Sequence, residues 1–319
     1  MQKVTALAGI FLFAFLLAGC QSSRDELNAQ GQSTTETEEK ELEEPDNESE
    51  ALDYEKVEVE DQYVLHTHLI DEGQAFYTAF SINRNESEEV KLLEEQLLNS
   101  LAESDPSEQD ILNSYTDLSV ESQKLTVQFN EEGNQLSTTT AQTTLFYDSL
   151  FGISDLYGIK EIVFLHPDGG TDIIVAEREV NDPLVVEEER GATRGYYTVY
   201  DEALEETLFL SGGALEEQVV NEAGELLSFS ETVEKMATID KEDAFYASAV
   251  VKGIEVVNAT LGNGMASVQY TMDEDMVTEA DRVVFENAIQ LAALDFHASK
   301  VELVNDTLQE HVRYPLIEE

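Results

Sequence analysis

The sequence predicts an α+β chain in which two similar ββαββαβ units follow one another. Three observations carry this expectation. Between residues 62 and 306 the apolar residues switch repeatedly from a two-residue to a 3.6-residue period. The resulting order of strands and helices runs through twice. Short strings also repeat: Leu125-Thr126-Val127-Gln128-Phe129 matches Ala266-Ser267-Val268-Gln269-Tyr270 at an offset of 141, and Lys160 matches Lys300 at an offset of 140. Solenoid repeats run to ~20–50 residues, so a period this long reads as duplication of a whole domain.

The chain opens with an address. Lys3 supplies a positive start, and Val4 to Leu17 form a nearly unbroken apolar run that ends in Leu17-Ala18-Gly19-Cys20. The run is too short for an ordinary membrane span and has the shape of a secretory signal. Leu-Ala-Gly-Cys resembles the bacterial lipobox. That resemblance implies lipid transfer to the Cys20 sulfur, cleavage before Cys20 and acylation of the new amine. Residues 1–19 are thus expected to be a lipoprotein signal peptide. Cys20 is the expected lipid attachment site, with palmitate among the acyl chains. The mature chain is placed on the outer face of the bacterial plasma membrane. Two or three acyl chains hold firmly, at roughly 0.8 kcal/mol per buried methylene.

Residues 20–61 read as a disordered acidic tether. Between Asp25 and Asp61 stand 16 acidic residues against only Lys40 and Lys56. Such a stretch cannot bury enough apolar surface to offset its ordering entropy.

The first unit spans 62–170. Tyr63 to Ile70 and Ala75 to Phe80 are rich in β-branched and aromatic residues, with the turn signal Asp71-Glu72-Gly73 between them. Asn85 to Ala102 reads as a helix with Val90, Leu93, Leu97 and Leu101 on one face, stopped by Asp105-Pro106. Asp117 to Val120 and the alternating Lys124 to Phe129 are strands, Thr138 to Phe151 a second helix, and Ile159 to Leu165 an apolar strand closed by Pro167-Asp168-Gly169-Gly170. Residues 171–194 form a link containing one further strand and Glu187-Glu188-Glu189.

The second unit spans 195–306. Its strands are Tyr196 to Tyr200 and Thr207 to Leu210, then a hairpin of Ile254 to Thr260 and Met265 to Tyr270 around Gly262-Asn263-Gly264. Helices are expected at Phe229 to Ala237 and at Thr278 to Asp295, the latter with Glu279 and Asp281 at the positive end of its dipole. Lys300 to Val304 closes the unit, and 307–319 is expected to be a tail.

The charge balance excludes several functions. With 68 acidic and 17 basic residues the net charge is −51, and no cationic footprint for nucleic acid exists. The single cysteine excludes an internal disulfide and any multi-cysteine metal centre. The acidity continues through residues 62–319, with 52 acidic against 13 basic residues. It fits either a halophilic setting, where salt screens self-repulsion, or a cationic partner. Its even spread favours salt.

No catalytic constellation emerges from the residues, and neither a cofactor nor a metal is expected. Asp273-Glu274-Asp275 and the pair Asp168 and Asp172 lack the alternating ligands and closing glutamate of a calcium loop. His66 and His68 share one side of a strand but have no third ligand in view. His297 stands at the negative end of the last helix. Tyr196, Tyr197 and Tyr200 read as strand core ahead of a binding strip. No Gly-x-Ser-x-Gly elbow occurs.

The arrangement resembles the GerM (GerMN) domain family. Lys124 to Phe129, a helix and Gly158-Ile159-Lys160-Glu161-Ile162-Val163-Phe164-Leu165 look like that family's alternating strand, helix and closing strand. Gly264 to Tyr270 and Ser299-Lys300-Val301-Glu302-Leu303-Val304 take the same places in the second unit. The chain departs from the family pattern at Asp105-Pro106, where Gly-Pro is usual, and it lacks the Val-Thr-Arg of the early strands. The resemblance implies an α+β fold like the ring-building motifs of secretion-system rings, with two helices on one face of a sheet. It also implies a part in assembling a sporulation or germination envelope complex, with ring or channel proteins as partners. The expected function is therefore non-enzymatic protein association by a membrane-anchored lipoprotein. The rival is a solute- or wall-polymer-binding lipoprotein, which needs a concave polar and aromatic pocket.

Overall fold

The computed structural model describes residues 54–73, 75–84, 93–107, 110–132 and 140–317. The signal segment, Cys20 and the tether up to residue 53 lie outside the described residues, as do residues 85–92 of the first expected helix. In chain order the elements begin with β1 (Glu55–Glu58), β2 (Tyr63–Asp71), β3 (Phe76–Arg84), α1 (Leu93–Glu103) and α2 (Ile111–Ser114). Next come β4 (Thr116–Glu121), β5 (Lys124–Phe129), α3 (Thr140–Leu156) and β6 (Glu161–Leu165). The link holds β7 (Ile173–Val175), β8 (Arg178–Val180), β9 (Leu184–Val185) and α4 (Val186–Arg190). The second unit runs through β10 (Tyr196–Asp201), β11 (Glu206–Ser211), α5 (Phe229–Lys235), β12 (Ala247–Ser248), β13 (Ile254–Gly262) and β14 (Met265–Met272). It ends with α6 (Glu279–Asp295), β15 (Lys300–Asn305) and β16 (Glu310–Pro315).

Local chemistry explains many of these boundaries. Thr278 and Asp281 form a capping box that starts α6, and Ser228 with Glu231 does the same for α5. The β13–β14 turn places Asn263 at φ 51° and Gly264 at φ 72°, the left-handed pair that a two-residue hairpin requires. Gly152 lies inside α3 because the helix passes so close to Phe80 that an added Cβ would stand 2.6 Å from its ring. Along β5 and β14 alternate residues are buried in the same pattern, which places Leu125, Val127 and Phe129 where Ala266, Val268 and Tyr270 lie.

The duplication is visible as register. β4-β5-β6-β9 and β13-β14-β15-β16 are neighbours in the same order, each with an antiparallel hairpin, a helix, and a return strand parallel to the second hairpin strand. The amides of Lys160 and Glu161 both address the Gln123 carbonyl, at 2.8 and 3.4 Å, as those of Ser299 and Lys300 address the Gly264 carbonyl, at 2.7 and 3.3 Å. Lys160 therefore corresponds to Ser299, and the expected match to Lys300 is one residue out. The offset of 141 in the hairpin strand falls to 139 in the closing strand because the second unit is two residues shorter between them.

The opening hairpins behave differently from the expectation of self-contained domains. β2–β3 and β10–β11 join one five-stranded sheet, in the order β12-β10-β11-β3-β2, through the pair Phe80 and Phe209. One face of this shared sheet sends Leu65, Phe80, Tyr196 and Phe209 into a core that also contains Leu125, Phe146, Phe285 and Leu303 from both units. The other face carries Ala79, Tyr197, Leu208 and Leu210 into a smaller cluster closed by Leu215 and Tyr246.

Three expected borders move. Glu55–Glu58, placed in the tether, is a strand parallel to β16, fixed by the Glu55 amide on the Gln309 carbonyl (2.8 Å) and by Glu58 on Arg313 (2.6 Å). Residues 310–315, placed in the tail, are β16, between β1 and β15. The link is not a spacer: β9 pairs with β6 and completes the first unit's sheet.

Candidate functional site

The most heavily built polar cluster lies where the two units meet, and it is centred on Arg190. This residue ends α4, and its side chain is 7% exposed. Its guanidinium bonds Asp155 and stands 3.1 Å from Asp295, while Nη2 donates to the Tyr196 hydroxyl at 2.9 Å. The Tyr196 hydroxyl donates in turn to Asp295 Oδ1 at 3.3 Å, and Thr193 donates to the other carboxylate oxygen. Asp155 comes from the last turns of α3 and Asp295 from the last residue of α6. A helix end of that polarity disfavours a carboxylate, so one buried cation offsets two awkward charges. An unpaired charge at this depth would cost several kcal/mol.

The electrostatics follow from burial and pairing. Burial pushes the Asp155 carboxyl up, but the hydrogen bond from His297 and the charge of Arg190 outweigh it and hold the carboxyl below its usual range. Burial also works against the Arg190 cation, and the surrounding Tyr196, Asp295 and Asp155 more than reverse the effect. His297 Nε2 is 3.2 Å from Asp155 Oδ1, and this bond raises the imidazole above its usual range. Arg194 stacks on Phe296 at 4.0 Å and flanks the same corner. The cluster joins α3, the link, β10 and α6. Its geometry is that of a structural clamp.

The residues singled out in the sequence scatter. Tyr196 and Tyr197 are buried in the shared sheet, on opposite faces, while Tyr200 is 60% exposed. His66 lies 3.4 Å from Glu103 and His68 bonds Ser81 at 3.1 Å. Burial pushes the His68 imidazole below its usual range. Asp168 and Asp273 each accept a backbone amide two residues on, from Gly170 (3.1 Å) and Asp275 (3.0 Å), and so hold turns. Among the described residues no group of three or more His, Cys, Asp or Glu is placed to hold a metal ion. Cys20 lies outside the described residues. Arg190, Asp155 and Asp295 were not singled out; the one signal for Arg190 is a cation directly after Glu187-Glu188-Glu189.

Sheet edges are the other surface of interest. β2 is an edge strand. Two of its outward amides are nonetheless occupied. Leu65 N donates to Ser100 Oγ of α1 at 3.1 Å, Thr67 N to Ser104 Oγ just after α1 at 3.0 Å, and the Tyr63 carbonyl takes the Tyr157 hydroxyl at 3.3 Å. A helix that covers an edge blunts it against strand addition, and α1 does so beside Leu65 and Thr67. α5 packs against β13 as α1 does against β2, and the difference lies in the hydrogen bonds. It ends its sheet with nine residues, and no side chain among the described residues caps it as Ser100 and Ser104 cap β2. Val257 is 54% and Leu261 40% exposed, with a bulge between Val256 and Asn258.

No family model matches the chain, and a search of curated proteins finds no match. Among solved structures the chain is similar to the tandem GerMN domains of the sporulation protein GerM from Bacillus subtilis. That likeness has a TM-score of 0.46 and 11% identity, covering 80% of this chain and 100% of that one.

Proposed function

We propose that this chain is a non-enzymatic docking part of an envelope complex, held by lipid at Cys20 on the outer face of the bacterial plasma membrane. The observation that carries the reading is β13, a nine-residue edge with exposed Val257 and Leu261, in a chain that caps its other long edge, β2. A block that shares one sheet and one core between its units offers a partner a rigid surface and costs little ordering on binding. Anchoring would raise the effective concentration of that surface near other envelope proteins. At full extension the roughly 34 residues from Cys20 to Tyr54 reach at most ~110–120 Å. The setting we propose, from the family resemblance of the sequence, is assembly of a sporulation or germination complex.

The reading is tested by crosslinking in cells that carry wild type or Val257→Glu. Val257 is exposed, so the substitution should change folding stability by no more than about 0.5 kcal/mol. Envelope proteins are expected to co-purify with wild type and to be lost with the variant. Equal recovery with both would remove β13 from the reading.

A further inference from the structure

A cavity of about 300 Å³ opens between the shared sheet, α3 and the link. Its origin lies in the sheet. β3 and β11 are in register through Phe80 and Phe209 only, so beyond that pair the space between Thr78 and Ser211 is not closed by a ladder. Phe76, Thr78 and Phe80 alternate along β3 and line it from one side. Asp148 and Phe151, three apart on α3, line it from the other.

The charges around this cavity are matched with one exception. Arg190 is paired with Asp155 and Asp295, and Glu189 holds Arg178 in a two-pronged bond of 2.6 and 2.9 Å. Asp148 has no hydrogen-bond or ion-pair partner among the described residues. Asp148 is exposed to solvent by surface area, yet desolvation by its surroundings pushes its carboxyl above the usual range. Thr78 Oγ1 is buried with no hydrogen-bond partner among the described residues. A carboxylate without a counter-charge, set among phenylalanine rings, is the chemistry that holds an ammonium group on an aliphatic stem. The carboxylate takes the charge, and the rings offer apolar surface to the stem, Phe80 beside the Arg190 guanidinium 5.9 Å from its ring centre.

We propose that this cavity binds an organic ammonium ion, carried either on a free alkylamine or on a lysine side chain. Asp148 receives the head group, and Phe76, Phe80 and Phe151 pack the stem. The site goes beyond the docking role at β13 and stands whether or not that edge receives a partner.

The test is a titration of the full chain with n-butylammonium, at constant ionic strength so that general attraction to the acidic surface does not change. Saturable one-to-one binding is expected, weakened about tenfold or more by Asp148→Asn and by Phe76→Ala, and unchanged by Glu274→Gln in an exposed turn. 1-Butanol, which has the stem without the charge, should bind at least about tenfold more weakly. A blocked lysine amide separates the sources. Binding as tight as butylammonium assigns the site to a protein side chain, and failure to bind assigns it to a free amine. Unsaturable uptake, or equal affinity in wild type and Asp148→Asn, would overturn the site.

Discussion

Asp155 and Asp295 sit at helix ends where backbone carbonyls already concentrate negative charge, and Arg190 and His297 are what make them tolerable there. The pH behaviour follows from the direction of each shift. His297 is held above its ordinary value of 6.5, so its contribution is complete below about pH 6.5 and is lost as pH rises through the raised value. Asp155 is held below its ordinary value of 3.8, so its contribution is complete above that pH and is lost as pH falls through the lowered value. The clamp is therefore strongest in mildly acid solution. In urea denaturation, His297→Gln should be less stable than wild type by about 0.5 kcal/mol near pH 5.5, a figure discounted because the imidazole is half exposed, and equal to it near pH 9. A deficit that did not vary with pH would show that His297 acts by shape alone. The sequence reading anticipated an interaction of His297 with its own helix end. Its partner from the other unit, 142 residues away, leaves no trace in local pattern.

Turns show the same division between local and distant information. Three hairpins use two left-handed residues at the turn: Asn263-Gly264, Ser122-Gln123 at φ 52° and 63°, and Ala176-Glu177 at φ 45° and 66°. Only the first pair has the residue types that advertise this geometry, and it is the hairpin read most directly from sequence. Ser122-Gln123 holds the same conformation without glycine, at a cost on the order of 1 kcal/mol per residue. Gln123→Gly should therefore stabilise the chain by about 0.5–1 kcal/mol, less than the full strain because glycine gains freedom when unfolded. A loss of stability in thermal or urea melts would contradict it. α6 is legible through its acidic first turn, and β5 through alternation. β1 and β16 are not: Glu-Lys-Val-Glu is exposed throughout, and the β16 residues are all half-buried, so neither shows a period of two. What makes them strands is a neighbour at the opposite end of the chain.

Joining the units through one sheet gives a single folded body with a heavily negative surface, carrying 52 acidic against 13 basic residues from 62 to 319. Self-repulsion on that scale should make the melting temperature climb steeply from low salt to about 1 M, where the screening length shrinks to roughly 3 Å. A flat response in scanning calorimetry would reject salt adaptation and favour a cationic partner as the reason for the acidity. The shared sheet itself could not be read in advance, because Phe80 and Phe209 pair across more than a hundred residues while each hairpin looks complete by itself. The placement of β1 has a mechanical corollary. If Cys20 carries the proposed lipid, any tug on it would enter the folded body at β1, and a load resisted by a partner on β13 would pass from strand to strand through β16, β15 and β14. The first unit, although nearer Cys20 along the chain, would lie off that line of tension.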